Sequence, residues 1–353
     1  MFDVQSILVY LGLAILSFGM AKFAERTGSK KAVWLIVLAL SLVAGLRATT
    51  VGIDTKTYDS IFSLISSGDT TSIYGIEKSF IYICAGLLQI WNNNPFLFFV
   101  FAFLSHGLIL FRIWKDREFI SFRWSVFSYY ILLFAFSLNG LRQFVAVAIV
   151  FYSTSFIREG KYIKFALSTL MASLFHTSAI VGLAYLFFEI AFTRFFDKKR
   201  RMMVFLGAGI GALYGLSVVP SVFHLYSGYF ERQASSFGLM MIVKLIMLLL
   251  SVGVIRIPSN KHERYYSFSH RGYYFIGLLL NSLDYLFMYM GRVGLYFYVF
   301  ETIYMGYLFK TKNRTIGTIL LKFGYVVVLL YYLYDNITGG AQGEIPYRFF
   351  WQS

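Results

Sequence analysis

The chain reads as an all-α, polytopic integral membrane protein, on three observations. Of its 353 residues, 58% are hydrophobic and only 14% charged, and the mean hydropathy is +0.66. Soluble globular domains do not carry that balance. Apolar runs of about 17–22 residues recur along the whole length, long enough as helices to cross a hydrocarbon core of roughly 30 Å. The short connections between them alternate between strongly basic and nearly neutral. Nothing in the composition marks off a soluble module, so 1–353 is taken as a single transmembrane domain.

The apolar runs predict about twelve spanning helices, near 4–21, 32–48, 95–111, 124–138, 142–157, 163–177, 178–193, 202–222, 238–255, 273–290, 293–309 and 316–334. The first follows Met-Phe-Asp without a basic leader or a small-residue cleavage site and is expected to be retained. Most of the 32 basic residues fall in alternate loops, the densest being Arg194, Lys198, Lys199, Arg200 and Arg201. The positive-inside rule assigns those loops to the cytoplasm. The net charge of +15 is therefore a topology signal, and nucleic acid is not an expected partner.

Parity decides residues 76–91. If this run crossed, every later basic loop would face outward. It is therefore expected to be a short re-entrant or interfacial helix, with both termini of the chain outside. Gly207, Gly211 and Gly215 mimic a nucleotide-binding loop, but no strand precedes them; their four-residue spacing suits close helix packing. The single cysteine, Cys84, excludes an intrachain disulfide and a cysteine-based metal site.

On the face that the positive-inside rule leaves poor in cations, arginines stand at helix ends: Arg47, Arg142 and Arg292. A guanidinium offers a planar fork of donors that matches phosphate oxygens. Arg142 also lies near a helix N-terminus, which favours anions, and Asn139 and Gln143 add neutral donors beside it. These groups suit a lipid-linked phosphate or diphosphate at the outer boundary; snorkelling to the interface is the competing explanation. Asp54, Tyr58, Asp59 and Glu77 follow in the same outer region, as bases, as acceptors for sugar hydroxyls, or as partners of the arginines. His176, at the predicted outer turn of Ser-Leu-Phe-His-Thr-Ser, is either a proton acceptor or a structural imidazole. Aromatics in 226–233 and 346–351, including Tyr347 next to Arg348, suit sugar stacking or interfacial anchoring. Deeper in the apolar runs, Lys244 is expected to pair with Asp284 or Glu301, because a lone charge there is costly.

These residues resemble the EpsG/Wzy group of polysaccharide polymerases at three places. GLRATTVGIDTKTYDSIF (45–62), followed by Glu77, is similar to that group's arginine and Gly-x-Asp-x-x-x-Tyr pattern. The block 138–182 carries Asn-x-x-Arg-Gln, a basic loop, and Ala-x-x-x-His-x-Ser; this match is the most specific. GRVGLYF (291–297) and Pro346-Tyr347 complete it. Lys78 departs from the proline that usually follows the glutamate.

The resemblance implies a bacterial inner-membrane glycosyltransferase with a GT-C-like body and a periplasmic site. It would polymerise undecaprenyl-diphosphate-linked oligosaccharide repeat units into O-antigen, as in lipopolysaccharide, or into capsular or exopolysaccharide. It implies a glycan donor and acceptor both carried on membrane lipid, no metal and no cofactor. A flippase and a chain-length regulator would be partners. On that resemblance Arg142, Arg292 and His176 are catalytic. Arg47, Asp54, Tyr58, Glu77, Asn139, Gln143, Tyr347 and Arg348 contact substrate. The alternatives are a lipid-oligosaccharide flippase and an O-antigen ligase.

Overall fold

The computed structural model describes residues 3–194, 239–255, 261–285, 290–312, 315–340 and 342–352. The expected span at 202–222, the glycine run at 207–215 and the aromatics at 226–233 lie outside them. Among the described residues the chain is helical, with one isolated antiparallel bridge between Arg47 and Phe349. It divides into two compact units, Met1–Ile180 with Met305–Ser353, and Val181–Tyr304.

The first unit opens with α1 (Val4–Thr27) and α2 (Lys30–Gly45). Two 13-residue helices follow, α3 (Thr55–Ser67) and α4 (Lys78–Ile90). Then come α5 (Asn94–Lys115), α6 (Phe122–Ser137), α7 (Leu141–Arg158) and α8 (Tyr162–Ala172). A 3-10 turn at Thr177–Leu183 leads into α9 (Ala184–Arg194).

α5 shows how the sequence draws a boundary. The Asn93 side chain accepts the Phe96 N–H, proline stands in the first turn, and Arg112 and Lys115 occupy the last. Each feature favours its end of the helix. α5 packs against α2 on one side and α7 on the other. It approaches α2 so closely that a β-carbon on Gly45 would lie 2.6 Å from the Phe99 Cα. α5 and α7 run parallel. Phe98 and Phe101 meet Leu141 and Val145 at their N-terminal ends, while Arg112 and Asp116 meet Thr154 and Arg158 at the other.

α3 is a helix the apolar runs do not announce. Tyr58, Ile61, Phe62 and Ile65 are buried at helical spacing, while Lys56 and Ser60 face outward. With Phe80 and Cys84 of α4 this stripe builds a core against Phe98 and Phe101. Ring pairs such as Phe62–Phe98 (5.1 Å) and Phe80–Phe101 (5.2 Å) fill it. Aromatic packing inside the fold thus accounts for phenylalanines beyond an interfacial belt.

The chain's end returns to this unit after α14 (Ile316–Thr338). Tyr347 donates its N–H to Ser6 Oγ (2.6 Å) and its hydroxyl to the Val43 carbonyl (2.9 Å). Arg348 forms a two-pronged pair with Asp3 at 2.9 and 3.0 Å. That pair holds the Asp3 carboxyl well below the ordinary range, through its Arg348 bonds first.

The second unit contains α9, α10 (Leu239–Val254), α11 (Lys261–Ser282), a turn at Leu283–Tyr285 and α12 (Met290–Tyr298). α13 (Glu301–Lys310) runs out of it into the first. Lys244 pairs with Glu301 (3.1 Å) and donates to the Tyr298 hydroxyl (2.5 Å), all within this unit. Asp284 accepts the Gly291 N–H instead (2.8 Å).

Three described helices are long and apolar enough to cross a membrane: α1, α5 and α14. Several others fall short of the expected spans. The runs 163–177 and 178–193 become α8, a turn and α9, and 293–309 becomes α12 and α13 with a break at 299–300. Hydropathy counts apolar residues whether or not the helix continues, so these breaks do not register in it. At 13 residues, about 20 Å, α4 is among the shorter apolar helices.

Candidate functional site

At the shared N-terminal end of α5 and α7, three sequence-distant segments converge on one carboxylate. Glu77 caps α4 by position but makes no side-chain cap bond. Its Oε2 is paired with Arg142 Nη1 from the first turn of α7. Its Oε1 accepts both the Thr177 N–H (3.0 Å) and the Thr177 hydroxyl (3.2 Å). The His176 Nδ1 lies 3.7 Å from the same oxygen. Arg142 also reaches the Tyr58 hydroxyl from Nε (3.4 Å), with its guanidinium over the Phe80 ring (5.8 Å).

The cluster is partly exposed. Side-chain exposure is 13% for Arg142, 18% for Glu77 and 27% for His176. Burial by itself would raise the Glu77 carboxyl, but the Thr177 N–H and the Arg142 charge outweigh it and hold the group below the usual carboxylate range.

The tautomer of His176 follows from its neighbour. The Ser178 N–H, which can only donate, lies 3.4 Å from Nδ1, so Nδ1 accepts and the neutral ring carries its proton on Nε2. The imidazole is thereby set to donate from Nε2.

Asn139 ties the site to its frame. Its Oδ1 accepts the Asp54 N–H (3.3 Å), and its Nδ2 donates to the backbone and side-chain oxygens of Gln342 (2.8 and 3.0 Å). Gln143 is buried in the same turn. Arg47, at 3% exposure, spends its donors inside the protein, on Thr55 Oγ1 (3.1 Å), the Ala44 carbonyl and the Leu138 carbonyl (2.8 Å). It also covers the Phe98 ring at 4.5 Å. Tyr347 and Arg348 are engaged with α1 and α2, as described. Arg292 is exposed on α12, in the second unit.

Of the residues singled out from sequence, the first unit therefore gathers Arg142, Glu77, Tyr58 and His176 into direct contact. Asn139 and Asp54 flank them. Thr177, Thr55 and Gln342 were not singled out from sequence, whereas Ser178 closes the Ala-x-x-x-His-x-Ser pattern; Thr177 and Ser178 stand beside His176 in a polar run that interrupts apolar sequence.

The opposite end of the α5–α7 pair is basic. Arg112, Lys115 and Arg158 gather there around Asp116 and Glu159. The 16-residue rise from Arg142 to Arg158 along α7 puts about 24 Å between Arg142 and the far end of that cluster.

A model of the EpsG family matches residues 30–349. The chain belongs to the EpsG family. No curated protein and no solved structure matches it. With its apolar helices, this EpsG-family chain is a membrane protein of the exopolysaccharide-polymerase type.

The Glu77 bridge carries a prediction of its own. Glu77→Gln keeps the shape but removes the charge that Arg142 pairs with. A carboxyl held below its unfolded value contributes stability that is present at neutral pH and lost as pH falls through the folded value. The variant should be less stable than wild type by roughly 1–2 kcal/mol at neutral pH, between the ranges for exposed and buried pairs. The gap should close on acidification. Thermal unfolding in detergent at the two pH values checks this; an equal gap at both excludes the charge as the source.

Proposed function

We propose that the protein elongates a polysaccharide from lipid-linked repeat units on the outer, periplasmic side of a bacterial inner membrane. The donor is a growing glycan on undecaprenyl diphosphate, and the acceptor is the terminal sugar hydroxyl of the next unit. That oxygen forms a bond to the anomeric carbon as the bond to the diphosphate breaks, and the electron pair leaves with the lipid diphosphate. Direct displacement inverts the anomeric centre.

One observation carries this reading. Arg142 and the His176–Thr177 turn converge at the end of α7 opposite the basic cluster. The positive-inside rule assigns the basic end to the cytoplasm, so the convergence point faces outward, where lipid-linked glycan is polymerised. Arg142 offers a fork of donors to the departing diphosphate, and His176 donates from Nε2. Arg292, in the second unit, is the other arginine expected from sequence to be catalytic. Arg47 acts from within, holding the loop after α2 against the α6–α7 turn, while Tyr347 and Arg348 fix the returning C-terminal segment.

The glycan of a deletion strain tests the activity. Loss of the polymerase leaves single-repeat glycan on the surface. Inward-facing lipid-linked units instead point to a flippase, and long unattached polymer points to a ligase.

A further inference from the structure

Among the acids of α3, α4 and the loops that flank them, Asp54 is the one whose carboxylate the protein leaves uncommitted. Glu77 has both oxygens engaged, Asp59 accepts from Asn94 Nδ2 (2.9 Å), and Glu344 accepts the Gln342 N–H (2.7 Å). Asp54 stands at the N-cap of α3, where an aspartate ordinarily turns back onto an N–H of the first helical turn. No such bond forms, and among the described residues the half-buried carboxylate enters no other hydrogen bond or ion pair.

Its backbone, in contrast, is fixed on every side. The Asp54 N–H donates to Asn139 and its carbonyl accepts the Tyr58 N–H (3.0 Å). Two residues earlier, Gly52 takes φ +93° and gives its N–H to the Gly343 carbonyl (2.7 Å). A β-carbon at position 52 would lie 2.7 Å from Thr55 Oγ1 and 2.9 Å from Asn139 Oδ1, so only glycine fits. A tightly held loop thus presents an unused carboxylate one helical turn before Tyr58, whose hydroxyl accepts from Arg142. His176 does not compete for a proton-accepting role, since its Nδ1 already accepts from Ser178.

We propose that Asp54 is the general base that activates the acceptor sugar, an inference that rests on the polymerase reading above. As the hydroxyl oxygen attacks the anomeric carbon, its proton passes to the Asp54 carboxylate and from there to water. The lipid diphosphate leaves with the electron pair of the broken bond, so no further reactant is needed.

The test uses the full-length protein in membranes, supplied with lipid-diphosphate-linked repeat units. Asp54→Asn should lower kcat by roughly 10²–10⁴-fold, the usual worth of a positioned base, with the KM for donor unchanged. Asp54→Ala should lose turnover in the same way and regain part of it when formate, a small carboxylate, is added. If D54N does not accumulate in the membrane, Asp54→Ser carries the same comparison. Wild-type kcat in the variants overturns the assignment. So does a raised donor KM with no response to formate, which would mark Asp54 as structural. Wild-type membranes that make no polymer from these units overturn the polymerase reading itself.

Discussion

Replacing Arg142 with alanine is expected to reduce glycan elongation by roughly 10²–10³-fold, the cost of deleting one preorganised donor to developing charge. Single-repeat units should replace the polymer ladder while the protein still inserts. Arg142→Lys should lose most of the same activity. An ammonium is a point charge that cannot hold Glu77, lean on Tyr58 and present a donor fork at once. Because Arg142 is also a structural partner of Glu77, its two roles need separating. The double variant R142A/E77A should recover stability relative to the sum of the single variants, since neither charge is then left alone. Its elongation should stay at the level of R142A. Arg292→Ala, measured separately, tests the arginine of the second unit. Full-length polymer from both arginine variants excludes a diphosphate clamp.

How far such a site is legible in sequence depends on which physical signal marks each part. α5, α7, α10 and α14 lie within a few residues of the expected spans, because each is one long uninterrupted apolar stretch. α3 escapes, since Lys56, Asp59 and Ser60 dilute its hydropathy while Tyr58, Ile61, Phe62 and Ile65 still bury one face. The breaks at 173–176 and 299–300 escape for the reverse reason: apolar residues on both sides hide the end of the helix. Within the site, the chemistry of Arg142, Glu77 and His176 is visible residue by residue. Their contact is not, as it joins positions 65 and 100 residues apart through the packing of α3 and α4 on α5 and α7. Arg47 shows the converse limit. An arginine at a helix end reads as a phosphate ligand until the fold reveals carbonyls at its donors.

The basic end of the same helix pair yields the largest expected effect on stability. Asp116 closes α5 with its side chain fully buried, between Arg112 Nη1 and Arg158 Nη1, each at 2.5 Å. Arg112 is 2% exposed and also donates to Thr154 Oγ1 (3.1 Å), so one carboxylate joins the C-terminal ends of α5 and α7. Arg158, at 31% exposure, can turn toward water if its partner is lost; Arg112 cannot. Asp116→Ala should therefore destabilise the protein by about 3–5 kcal/mol, mainly by stranding a buried guanidinium. Removing the stranded charge should reverse much of that loss, so R112M/D116L is expected to unfold at a higher temperature than D116A. About 24 Å of α7 separates Arg158 of this cluster from Arg142, so elongation per folded molecule should be unchanged in both variants. A D116A protein as stable as wild type would show that the carboxylate does not hold the two helices. A drop in elongation per folded molecule would show that the two ends of α7 do not act independently, since a rigid parallel pair leaves the Arg142 end untouched when its other end is repacked.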